Sequence, residues 1–115
     1  EWDAGGQPTI VVNSGNAIVY PVITIHDTAH DPIITNQATG EQFGMSININ
    51  DGDELVIDML NRTVKLNGSD VIGNMVAGST WWGLLVGNNS IRYDTDTGLD
   101  NGYAEIEWRN GVTGI

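Results

Sequence analysis

Both histidines of the chain lie in HDTAHD (26–31), where a four-residue spacing would put two imidazoles on one face of a helix and make a metal clamp. The segment follows VITI and precedes Pro32, so the helix is missing and it reads as a polar loop. A second oxygen-rich stretch, DTDTGLDNGYAE (94–105), sets Asp94, Asp96, Asp100 and Glu105 at the first, third, seventh and twelfth places of a calcium loop. Gly98 stands where a fifth-place oxygen ligand belongs, and strands rather than helices flank the segment, so a solvated hairpin loop is expected and no metal. Nucleophilic chemistry has little to draw on: there is no Cys, no Gly-x-Ser-x-Gly elbow and no His beside a Ser motif. Glu105 and Glu107 share the outer face of one strand, where carboxylates serve solvation more often than glycoside hydrolysis. The sequence predicts neither enzyme activity nor a cofactor.

The remaining chemistry is aromatic. GSTWWGLLVGNN (78–89) sets Trp81 and Trp82 side by side in a chain with four tryptophans. In an extended segment adjacent side chains point to opposite faces, so one ring is core and the other exposed. An exposed Trp flanked by amides that hydrogen-bond hydroxyls is the minimum of a sugar platform, and Trp81 with Asn88 and Asn89 is the candidate ligand-binding set.

The elements that must position these residues are strands. Short β-branched runs alternate with Gly, Asn and Asp clusters, and helical periodicity is absent. Strands are predicted over residues 9–12, 17–25, 32–35, 41–49, 54–59, 63–66, 81–85, 90–94 and 103–108. Turns fall at 13–16, 38–40, 50–53, 66–70, 87–89 and 99–102, where the chemistry suits antiparallel neighbours. Alternation points Leu55, Ile57, Met59, Val64, Leu66, Ala104, Ile106 and Trp108 inward, leaving Glu54, Asp58, Lys65, Glu105 and Glu107 wet. Strands with one buried face pack as two sheets, so the expected class is an all-β antiparallel sandwich or jelly roll, with a closed barrel as the alternative. Pro21 puts residues 17–25 at a sheet edge or across a kink.

Composition bounds the partners. A chain of 115 residues with 40% hydrophobic content suits one domain spanning 1–115. A net charge of -11, with 4 basic residues, makes nucleic acid and anionic membrane surfaces poor partners. No apolar run approaches the roughly 20 residues that cross a bilayer. The start EWDAGG has neither Met nor a signal-peptide pattern and reads as an internal cut in a longer protein. The sequons NRT (61–63), NGS (67–69) and NNS (88–90) fall at turns that call for Asn for backbone reasons.

Three stretches taken together, NAIVYPVITI followed by TNQATGEQF (16–43), GDELVIDMLNRTVKLNG (52–68) and STWWGLLVGNNSI (79–91), resemble the C-terminal domain of the distal tail proteins of long-tailed siphophages. The similarity runs from about residue 6 to about residue 110. Val86 departs from it, since the family favours Pro before Gly87. The resemblance implies a jelly-roll sandwich similar to galectins and carbohydrate-binding modules, carried behind an N-terminal domain that assembles into a hexameric ring joining tail tube to baseplate. This chain would then be a C-terminal fragment, monomeric by itself, of a virion protein or its prophage-encoded copy. The aliphatic residue that the family keeps at Leu84 implies an inward Leu84, hence an inward Trp82 and an outward Trp81. Two functions are expected as alternatives: a structural module contacting other tail and baseplate proteins, and a glycan-binding module that recognises, through Trp81, host cell-wall glycans during adsorption or polysaccharide when attached to a secreted polysaccharide-degrading enzyme.

Overall fold

The computed structural model describes residues 2–3, 8–95 and 102–108. Among the described residues twelve strands are formed: β1 (Trp2–Asp3), β2 (Thr9–Asn13), β3 (Val22–His26), β4 (Ala29–His30), β5 (Ile33–Asn36), β6 (Glu41–Gly44), β7 (Asn48–Ile49), β8 (Glu54–Asp58), β9 (Thr63–Leu66), β10 (Ser69–Asp70), β11 (Gly87–Asp94) and β12 (Tyr103–Glu107), with a 3-10 turn at Ile72–Asn74. All strand pairs are antiparallel. One sheet runs β1-β12-β3-β8-β9-β10, the second β2-β11-β5-β6, and β4 pairs with β7 apart from both.

The period of two builds the core. Along β8 Leu55 and Ile57 are buried between less buried neighbours, and Met59 continues the inner row. Ile23 and Ile25 of β3, Val64 of β9 and Ala104 of β12 line the same side. The second sheet answers with Val11, Ile34, Phe43, Ile91 and Tyr93, so the inner faces of the two sheets close over one shared core. The expected all-β antiparallel sandwich is what forms. Turn chemistry also holds: Asn67 (φ 49°) and Gly68 (φ 86°) are the two left-handed residues of a two-residue hairpin that registers Leu66 against Ser69.

Four expectations change. Residues 17–25 do not make one strand: buried Pro21 closes an irregular stretch, and the ladder begins at Val22 because proline offers no N–H to it. The run 41–49 breaks at Met45, which leaves β6 to bridge Met75. Residues 81–85 form no strand beyond a single bridge, Val19 to Leu84, whereas 87–89, read as a turn, open the eight-residue β11. Trp108, read as inward, is 39% exposed. Its register partner series ends with Glu107, and the indole beyond it turns to the other sheet.

Candidate functional site

Three asparagines, all at 0% exposure, hold the WWGLL segment against the second sheet. Asn36 Nδ2 donates to the Gly83 carbonyl at 3.0 Å and to Asn89 Oδ1 at 3.2 Å. Asn13 Nδ2 donates to the Ala17 carbonyl at 2.8 Å and to that of Leu84 at 3.2 Å. Asn89 closes a local loop: its Oδ1 accepts from the Leu85 amide at 2.8 Å, and its Nδ2 donates to the carbonyls of Leu85 at 2.8 Å and Gly87 at 3.1 Å. Side-chain amides here replace the ladder that a strand at 81–85 would have made, which is why buried polar groups are tolerated.

The clamp fixes both adjacent tryptophans. Trp82 is 1% exposed and donates its indole N–H to the Ile34 carbonyl at 3.2 Å; with Leu84 at 0% the inner parity is as expected. Trp81, expected to face out, is instead half-buried and packs against the core, its ring 4.7 Å from that of buried Phe43 at a 47° tilt. Of the candidate sugar contacts, Asn88 is exposed. Asn89 is a correction: its amide is internal and spent on backbone groups and Asn36, so it is withdrawn from any ligand at the surface.

A second aromatic pair, which sequence reasoning missed, stands in the open. Tyr20 (41% exposed) and Trp108 flank a shallow groove lined also by Val19, Val22, Leu60 and Glu107. Each ring is anchored. Trp108 donates its indole N–H to the Val12 carbonyl of β2 at 3.2 Å, crossing between the sheets. Tyr20 rests over Gly83, where an added Cβ would come within 3.2 Å of the tyrosine ring and 2.6 Å of Ile18. Leu60, 67% exposed, is presented by a turn that Asp58 organises, its carboxylate accepting from the amides of Leu60 and Asn61 and from the Asn61 side chain. Burial at Asp58 pushes its pKa up, and these three hydrogen bonds outweigh that and hold it below the usual carboxylate value. The signal was Tyr20 immediately before a strand-breaking proline and Trp108 at a strand end, positions where alternation stops deciding direction.

The histidine segment is no clamp. His26 stacks on Tyr103 at 4.8 Å, with Nε2 2.7 Å from Glu105 and Nδ1 3.5 Å from Glu54, while His30 lies on β4 of the separate small sheet. Among the described residues no group of three metal-ligating side chains converges. Of the calcium-like loop, residues 96–101 lie outside the described residues; at its ends Asp94 pairs with Arg92 at 2.8 Å and Glu105 with His26.

The described surface offers aromatic and aliphatic side chains around this groove. A family model for the siphovirus-type tail component, C-terminal domain, matches residues 14–111. The chain belongs to this family. It is thus a component of the siphophage tail, as the resemblance implied. Among solved structures the tail-component domain is similar to the Dit protein of phage SPP1, described as a paradigm of the hub adsorption apparatus in phages that infect Gram-positive bacteria. The match has a TM-score of 0.70 at 15% identity and covers 90% of this chain and 42% of that one. The domain therefore spans less than half the length of that structure, and at this identity the likeness is one of fold. No curated protein matches it.

Proposed function

We propose that this domain is the peripheral C-terminal part of a distal tail hub protein, that it decorates a hexameric ring between tail tube and baseplate, and that its surface contacts neighbouring tail and baseplate proteins. The family match over residues 14–111 carries the reading, because the matched model is that of the C-terminal domain of a tail component. Charge supports a passenger role in the ring: at -11, copies of the isolated domain repel one another, so ring closure belongs to another part of the protein. The isolated domain is then a monomer, and the role needs no catalytic residue and no cofactor.

The glycan reading, centred on Trp81 with Asn88, draws less support, since Trp81 spends part of its ring on Phe43 and Asn89 is withdrawn. The test is the reading frame that encodes the chain, expressed whole and viewed by electron microscopy. A preceding domain and six-fold rings are expected, with sedimentation of the 115-residue domain alone giving a monomer. A preceding glycoside hydrolase domain, or rings formed by the isolated domain, would overturn the proposal.

A further inference from the structure

The groove between Tyr20 and Trp108 lies at one end of the six-stranded sheet, where Val22 pairs with both Asp58 and Glu107. Ile18 (53% exposed) lies beside Tyr20 over Gly83 and extends the apolar lining. Covering these exposed apolar and aromatic side chains is favourable. The chemistry of the lining selects protein: five of the six groove residues present apolar or aromatic surface and one a carboxylate, which gives a sugar few hydrogen-bond partners. Trp and Tyr held in place before contact are the usual anchors of a protein interface.

The strand register says which protein. Trp2 lies against Ala104 and Asp3 against Tyr103, antiparallel, so β1 runs beside β12, the strand whose last residue Glu107, with Trp108 after it, lines the groove. The structural neighbour has more than half its length outside the match, and the family model is that of a C-terminal domain, so the natural source of such polypeptide is the preceding part of the same protein. A second copy of this domain is a poor occupant, because each copy carries a net charge of -11.

We propose that the Tyr20–Leu60–Trp108 groove is the seat of the preceding part of the same polypeptide, which covers it and fixes the angle at which this domain leaves the ring. The inference rests on the hub-protein reading above. The domain has no cysteine, so single cysteines report cleanly. Leu60→Cys and, as a distant exposed control, Val76→Cys are placed in the whole protein and in the 115-residue domain, and maleimide labelling of each site is timed by mass spectrometry. Labelling at position 60 is expected to slow at least tenfold in the whole protein, while position 76 stays within about twofold. Equal rates at position 60 in a whole protein that still forms rings overturn the inference and leave the hub reading standing. Protection that arises only in assembled tails assigns the groove to another virion protein and overturns it as well. If no domain precedes this one in the reading frame, the hub reading fails and the inference falls with it.

Discussion

Trp82 and Trp108 make the same hydrogen bond to opposite ends. Each donates its indole N–H to a backbone carbonyl of the second sheet at 3.2 Å, Trp82 to Ile34 and Trp108 to Val12. One ring is 1% exposed and the other 39%. The bond orients a ring and contributes about 1 kcal/mol net, whereas burial decides what the ring is for. Around Trp82 the clamp asparagines and both sheets close, so the ring holds the fold together. Around Trp108 the anchoring leaves a rigid apolar surface at low entropic cost, which is the condition for docking.

The largest effect is expected at the buried ring. Trp82→Ala removes a core side chain and leaves a cavity, and should cost roughly 3 to 5 kcal/mol in a denaturant melt, enough to threaten folding of so small a domain. A loss equal to that of Trp108→Ala would erase the distinction between the two rings. Next comes the clamp: Asn89→Ala strips partners from the Leu85 amide and the carbonyls of Leu85 and Gly87, for a cost on the order of 3 kcal/mol. Gly83→Ala should lose about 1 to 3 kcal/mol, because its Cβ needs Ile18 and Tyr20 to move. It should also raise the accessibility of Tyr20, which links the two regions. Trp108→Ala should cost about 1 kcal/mol or less, the ring being half out in water already. Trp81→Ala falls between the two rings compared above, as its half-buried contact with Phe43 requires.

The smallest expected effect is one of pH. Asp58 has a folded pKa below its unfolded value, and so does Asp53, through the Asn67 side chain first and the Asn50 backbone second. A depressed carboxylate contributes stability that is present above the unfolded value near 3.8 and lost as pH falls through the folded one. The melting temperature should therefore fall below about pH 4, and Asp58→Asn should flatten part of that fall.

Alternation made the core legible: Leu55, Ile57, Met59, Val64 and Ala104 point inward as the period of two requires. The NG hairpin at Asn67–Gly68 was legible for the same local reason, two left-handed residues in a row. Residues 81–85 were not, because their backbone is held by side chains from Asn13, Asn36 and Asn89, distant in sequence, and no periodicity encodes such partners. Asn89 was read as a ligand-binding residue for the same cause: amide chemistry is identical in a turn, a sugar site and a buried clamp. Trp108 was read as core because alternation was carried one residue past the end of the ladder at Glu107. The family was legible in three separated stretches; the groove was not, since Tyr20, Leu60 and Trp108 meet only in the fold.

Cryo-electron microscopy of the intact virion tests the account most directly. The domain should lie outside a ring at the distal end of the tail, with the Trp82 side sealed within the sandwich and the Tyr20–Trp108 groove against density of its own polypeptide. A domain found along the tail tube, or one at the tip with that groove open to solvent, would contradict it.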